Sequence, residues 1–286
     1  MTMGTHRFVR LLASVTSEAE ARLAAARGAD LIDCKNPTAG ALGALPHEVV
    51  ARIRAAVPAH VPVSATIGDL AAEPEPVLAA ARAMAATGCD IVKIGLFPGG
   101  DARATIAHLG RQLASQVPLV AVLIADAPLD GALVPALGEA GFAGVMLDTA
   151  AKDGRTLLDH RAPDALRTFI ADAHTAGLFA GLAGSLRLAQ VPELLALEPD
   201  VLGFRGALCR ASDRQSALDA AALAALRRTI PHATGRTPTS PPPLWGRPGG
   251  GDSQTPAFRV PSTPDPSPQG GGDADPPADR ALEAAS

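Results

Sequence analysis

Eight short apolar runs recur along the first 230 residues, each separated from the next by an Ala-rich stretch. The runs cover residues 8–15, 29–35, 61–67, 90–96, 119–125, 144–148, 178–184 and 201–206. Helical stretches between or after them include 17–27, 46–57, 74–87, 101–115, 162–176 and 216–229. Strands this continuous in Val, Ile, Leu and Ala need cover on both faces, which a parallel sheet with crossover helices supplies. Ser17 with Glu20 fits a capping box, and Gly28, Gly88, Gly141 and Gly177 fit helix C-termini before the next strand. Two architectures suit the pattern. Eight units of about 29 residues match a single (β/α)8 TIM barrel of the α/β class. A doubly wound sheet is the alternative, but no G-x-G-x-x-G or Walker A follows any run, and eight regular units exceed its usual number. The barrel is therefore expected over residues 1–230.

Composition changes abruptly at Pro231. Residues 231–286 hold half of the chain's 26 prolines, in segments such as TPTSPPP and PSPQGGG, and are expected to be a disordered low-complexity tail. A net charge of −4, 3% aromatic content and no Tyr argue against nucleic acid as a partner. No apolar run reaches the roughly 18 residues of a membrane span, and LLASV near the N-terminus is too short for a signal-peptide core. Cys34, Cys89 and Cys209 are odd in number and widely spaced, which reads as reduced thiols in a cytoplasmic protein.

Within that frame the lysines stand out. There are three, Lys35, Lys93 and Lys152, among 25 basic residues, and each follows or ends an apolar run, in LIDCK, DIVKIG and VMLDTAAK. Arg replaces Lys readily on a solvated surface but cannot act as a nucleophile or base near neutrality, so retained lysines point to chemistry. Barrel enzymes place their sites at the C-terminal strand ends. Asp33 and Lys35 lie two apart, on one face of the second strand. Asp33 could orient the amine and take part in proton transfer while Lys35 attacks a carbonyl to form a Schiff base, helped by crowded ammonium groups. The plain alternative is a structural ion pair. Lys93 shares a face with Ile91 and Gly95, which favours a general base or a substrate contact over snorkelling to solvent. Asp148 and Lys152 could both reach the mouth, or Lys152 could sit on an exposed turn.

LAGS (182–185) and FRGA (204–207) follow the seventh and eighth strands, where barrel enzymes commonly bind phosphate. Gly184, Ser185, Arg205 and Gly206 are the candidates, with Arg205 adding a charge-assisted bond. Ser185 lacks the partners of a nucleophile. Metal is disfavoured: the seven histidines show no ligand spacing, and Asp69, Asp126 and Asp148 are left as a weak Mg²⁺ alternative. No cofactor is expected.

In order along residues 8–230, GADLIDCKNPTAGALGA, SATIGD, DIVKIGL, VMLDTAAKDGRTLLDH, LAGS and FRGALCRASDR resemble the (5-formylfuran-3-yl)methyl phosphate synthase family of methanofuran biosynthesis. The resemblance implies a (β/α)8 lyase that condenses two glyceraldehyde 3-phosphate molecules into a furan aldehyde phosphate, releasing phosphate and water. It also implies the Schiff base at Lys35 and the proton acceptor at Lys93. Asp148 and Lys152 would assist proton transfer and charge stabilisation. The resemblance also implies a role in gripping phosphate for the loop after the eighth strand; where archaeal members read Cys-Lys-Gly-Gly-Asp-Arg there, this chain reads Cys209-Arg210-Ala211-Ser212-Asp213-Arg214. The tail has no counterpart in the family. Two other functions fit the residues alone: an aldolase or orotidine-phosphate-decarboxylase-like enzyme, or a non-catalytic barrel binding phosphorylated metabolites. The expected partner is a phosphorylated triose, and self-association is left open.

Overall fold

The computed structural model describes residues 8–230, so the expected tail at 231–286 lies outside the described residues. Strands and helices alternate in chain order. The first half runs β1 (Arg10–Val15), α1 (Glu18–Ala26), β2 (Leu31–Cys34), α2 (His47–Ala56), β3 (Val63–Thr66), α3 (Pro74–Ala85), β4 (Ile91–Leu96) and α4 (Ala102–Gln112). The second runs β5 (Leu119–Ile124), α5 (Leu133–Glu139), β6 (Gly144–Asp148), α6 (Leu157–His160), α7 (Pro163–Thr175), β7 (Phe179–Leu182), α8 (Val191–Leu195), β8 (Val201–Phe204) and α9 (Ala220–Thr229). Every neighbouring pair is parallel and β8 pairs with β1, which closes the barrel and sets aside the doubly wound sheet. The short α5, α6 and α8 are absent from the sequence expectation. They are too brief for a clear 3.6-residue period, and α5 carries a proline inside it. Among the described residues no helix is long and apolar enough to cross a membrane.

Alternation along each strand divides the core in two. Leu11, Ala13, Val15, Ile32 and Cys34 point outward and pack beneath the helices. Leu12, Leu31, Ile91, Val120, Met146, Phe179 and Val201 point inward and fill the barrel floor. The filling pairs large with small residues: a Cβ on Gly144 would stand 2.5 Å from the Phe179 ring, and one on Gly181 2.6 Å from Met146 Cγ.

Following the strand registers once around the barrel displaces the path by eight residues, the shear of a (β/α)8 barrel. With that tilt, inward residues of alternate strands share a level. Asp33 of β2 and Lys93 of β4 lie level with Met146 and Gly203. One step toward the C-terminal mouth, Lys35 lies level with Gly95, Asp148 and Arg205. Floor residues are apolar and mouth residues charged, so the barrel has one reactive end.

Candidate active site

The C-terminal mouth opens into a cavity of about 650 Å³, within the range of small-molecule sites. All nine residues singled out in the sequence line it: Asp33, Lys35, Lys93, Asp148, Lys152, Gly184, Ser185, Arg205 and Gly206. The pairing of its charges differs from the expectation. Asp33 does not hold Lys35; it accepts from Lys93 Nζ at 3.1 Å, and from the hydroxyls of Ser64 at 2.6 Å and Ser14 at 3.0 Å. Lys35 Nζ instead donates to Asp148 Oδ2 at 2.8 Å, and Lys152 Nζ to Asp148 Oδ1 at 3.0 Å. Lys35 and Asp148 share a level, as do Lys93 and Asp33, so each carboxylate meets a lysine across the lumen rather than along its own strand.

The three amines are held differently. Lys152 also donates to Thr149 O at 2.6 Å and approaches Thr149 Oγ1 at 3.2 Å, which occupies all its N–H groups and removes the exposed-turn alternative. Lys35, among the described residues, has the single acceptor Asp148, leaving donor directions toward the cavity. Lys93 is deeper, 4% exposed, and is held by Asp33.

Two carboxylates interleaved among three ammonium groups govern the electrostatics. Burial pushes the Asp33 carboxyl up, but Lys93, Lys35 and the Ser64 hydroxyl outweigh it and hold it below the usual range. At Asp148 burial is again opposed, by Lys35 and Lys152, and its carboxyl is held well below the usual range. Burial lowers Lys152; Asp148 opposes this and Lys35 adds to it, with a net lowering. Crowding of amines is thus only part of the balance, because a carboxylate sits between each neighbouring pair. The cysteines stand apart from this chemistry: burial pushes Cys89 and Cys209 up to about 11 and Cys34 higher still.

The residues weighed as Mg²⁺ ligands besides Asp148 brace the loops that carry the lysines. Asp69, after β3, accepts from Ala41 N and Leu42 N at 2.7 Å each, fixing the loop that follows Lys35. Gly40 has φ +105° and a Cβ there would fall 2.1 Å from Asp69 Oδ2, so glycine is required at the close approach. Asp126, after β5, accepts from Ala150 N and Ala151 N at 2.7 Å each, fixing the turn that leads into Lys152.

Arg205 corrects another expectation. Its guanidinium does not face a phosphate, because all its N–H directions are taken by the protein. Nε donates to Arg214 O at 2.9 Å, Nη1 to Ser14 O at 3.2 Å and Glu20 Oε2 at 2.6 Å, and Nη2 to Ser216 O at 3.0 Å and Glu20 Oε1 at 3.3 Å. Glu20 also departs from the expected capping box. Ser17 Oγ accepts from Glu20 N, but the Glu20 carboxylate turns to Thr16 N at 2.8 Å, to Leu218 N and to Arg205. The pair straps the loop after β8 to the loop after β1, across the seam where the barrel closes.

The backbone candidates for phosphate remain at the rim. Gly184 and Ser185 have φ of 110° and 50°, a left-handed pair, and a Cβ on Gly184 would stand 2.9 Å from Thr149 Cγ2. Gly206 begins a 3₁₀ turn over Gly206–Leu208. Sequence reading missed Ser14, Ser64 and Thr149, and gave Glu20 a capping role only. The signal available for the serines was a small polar residue at an inward position of an otherwise apolar strand.

Comparison with known proteins identifies its kin. The 4-HFC-P synthase family matches residues 11–227. A protein of Methylorubrum extorquens named "Putative (5-formylfuran-3-yl)methyl phosphate synthase" is 47% identical over 218 residues, 75% of this chain and 89% of the relative. The (5-formylfuran-3-yl)methyl phosphate synthase of Methanocaldococcus jannaschii is 36% identical over 217 residues, 72% of this chain and 92% of the relative. Among solved structures, phosphoribosyl anthranilate isomerase from Thermus thermophilus superposes with a TM-score of 0.56 at 20% identity, over 78% of this chain and 98% of that one. 3-Hexulose-6-phosphate synthase gives 0.54 at 20% identity, over 78% and 100%. At such identities these two speak for the fold alone. The family match runs over residues 11–227 and so takes in the whole barrel mouth, and this chain belongs to the family of (5-formylfuran-3-yl)methyl phosphate synthases.

Proposed function

We propose that this protein is a lyase of methanofuran-type C1-carrier biosynthesis that condenses two glyceraldehyde 3-phosphate molecules into (5-formylfuran-3-yl)methyl phosphate through a Schiff base on Lys35. Two such trioses differ from the furan aldehyde phosphate by one phosphoric acid and two waters, so no oxidant is needed. The steps are carbonyl activation by an amine, proton removal from carbon, carbon–carbon bond formation, loss of phosphate, ring closure and dehydration. The observation that carries the reading is Asp148 bound between Lys35 and Lys152 at the cavity wall. Asp148 can take the proton that Lys35 loses before it attacks the aldehyde carbon and return it to the departing hydroxyl. Lys152, anchored at Thr149, keeps positive charge beside oxygens that become negative. Lys93, deeper and held by Asp33, is the group suited to accept a proton from the carbon of the bound triose. The Gly184–Ser185 turn and the Gly206 segment offer backbone N–H groups to a phosphate.

Borohydride added with glyceraldehyde 3-phosphate is expected to trap an adduct on Lys35, detected by peptide mass, and Lys35→Arg is expected to abolish both adduct and furan product. Trapping on Lys93 or Lys152 would overturn the assignment. Turnover of a single triose phosphate to a non-furan product would favour an aldolase instead.

A further inference from the structure

Asp33 is the centre of a polar set on β1 to β4 that is separate, in its hydrogen bonds, from the set around Asp148. The registers place Ser14 of β1 beside Asp33 of β2, and Asp33 beside Ser64 of β3, so three inward side chains stand in one row across three strands. Ser14, Asp33 and Lys93 each come two residues after an apolar floor residue, Leu12, Leu31 and Ile91. A hydroxyl buried above such a floor costs free energy unless it is hydrogen-bonded, and both serines are directed at one carboxylate. Ser64 is fully buried, and its Oγ donates to Asp33 Oδ1 at 2.6 Å, with Ile32 O a more distant acceptor at 3.3 Å. Ser14, at the cavity wall, donates through Oγ to Asp33 Oδ2 at 3.0 Å, and its own carbonyl is held by Arg205 at 3.2 Å. Donors on either side thus hold one oxygen each, which fixes the plane of the carboxylate. Lys93 Nζ then shares Oδ1 at 3.1 Å, and among the described residues Asp33 is its one hydrogen-bond acceptor.

We propose that Ser14 and Ser64 are positioning residues for proton removal from carbon: by pinning Asp33 they hold Lys93 where the bound triose loses that proton. The inference rests on the proton-acceptor role proposed for Lys93 above. In that step the proton leaves carbon 2 for the neutral Lys93 amine, and the C–H electron pair moves into the enamine conjugated with the Lys35 nitrogen. Proton transfer depends on the alignment of carbon and base, so an amine that loses its orientation costs rate rather than affinity. Lys35 stands outside the row and is held by Asp148, so Schiff-base formation does not depend on either serine.

Glyceraldehyde 3-phosphate deuterated at carbon 2 separates the steps. Release of deuterium to water, followed by NMR, reads proton removal; borohydride trapping reads the Schiff base, and furan absorbance reads turnover. Ser64→Ala is expected to slow deuterium release and kcat by about 10- to 100-fold, with KM within about threefold and trapping on Lys35 at the wild-type rate. Ser14→Ala is expected to act in the same direction, and Ser14→Thr, which restores the hydroxyl, to recover most of the loss. Ser64→Cys, close in size but a weaker donor, should fall between; it carries the test if the Ala variant does not fold. Deuterium release at the wild-type rate in either Ala variant, or trapping that falls as far as release, would overturn the proposal. Release from Lys93→Met as fast as from wild type would reject the base role of Lys93, and this inference with it. Release lost in Lys93→Met without any response at the serines would reject this inference alone.

Discussion

Glu20→Gln tests the strap that closes the barrel at its seam. Glu20 and Arg205 side chains are each 10% exposed, and the carboxylate accepts from Arg205 at 2.6 and 3.3 Å and from Thr16 N at 2.8 Å. With an effective dielectric near 20, the attraction between these charges is on the order of 4 kcal/mol. An amide keeps one acceptor but turns an NH₂ group toward donors, adding roughly 1–2 kcal/mol. Relief of the carboxylate's desolvation offsets part of this, so the net loss is about 3 kcal/mol, in line with breaking a buried pair. For a domain of this size that lowers the melting midpoint by about 6–12 °C.

The effect also has a pH signature. Burial pushes the Glu20 carboxyl up, but Arg205 and Thr16 hold it below its ordinary value. A carboxylate depressed in the folded state contributes fully above its unfolded pKa of about 4.3, and that contribution fades as pH falls through the folded value. Urea unfolding of wild type and Glu20→Gln from pH 7 down to pH 3 should therefore give a constant gap above about pH 5 that closes in acid. Adding Arg205→Gln should expose a coupling of about 2–3 kcal/mol in the double-mutant cycle. A gap under about 1 kcal/mol at pH 7, or one that persists undiminished at pH 3, would refute the reasoning.

Asp148→Asn leaves Lys35 and Lys152 facing a neutral amide; kcat for furan formation is expected to fall by about 10²–10⁴-fold with the circular dichroism of the folded chain retained. Activity within threefold of wild type would remove Asp148 from the proton transfers. Ala211 sits at φ 52°, ψ 21° where archaeal relatives were expected to carry glycine. A left-handed alanine costs about 1–2 kcal/mol and glycine gives back about 0.4–1 kcal/mol in unfolded-state entropy, so Ala211→Gly should stabilise by about 0.5 kcal/mol. A fall in its urea midpoint would show that the loop is not strained there.

The barrel was legible along the chain because its signals are local. Each strand announces itself by a continuous apolar run, the long helices by their period and α1, α3 and α7 also by a glycine just beyond them, and eight repeats leave few closures. Lys35 and Lys152 were legible for a related reason: a charged residue just past an apolar strand sits at the rim, whereas Lys93, read as a strand end, is the third residue of β4 and lies one level deeper. Glu20 shows where locality ends. Its spacing from Ser17 reads as a capping box, and half of that box forms, but a guanidinium 185 residues away takes the carboxylate. Arg205 reads as a phosphate ligand from its place after β8, and the same contact, with three backbone carbonyls, takes up its N–H groups at the cavity wall.

Partner choice among the site charges was equally out of reach. Asp33 and Lys35 are neighbours in sequence and on one face of one strand, which makes their pairing the natural expectation. The shear of the closed sheet instead sets Lys35 level with Asp148, 113 residues on, and Asp33 level with Lys93, 60 residues on. The sequence by itself determined the fold, the reactive end and the kinds of group found there. Tertiary structure decided which amine each carboxylate holds and that Arg205 is tied to Glu20, because barrel tilt and loop closure set those distances and neither is written in any one segment.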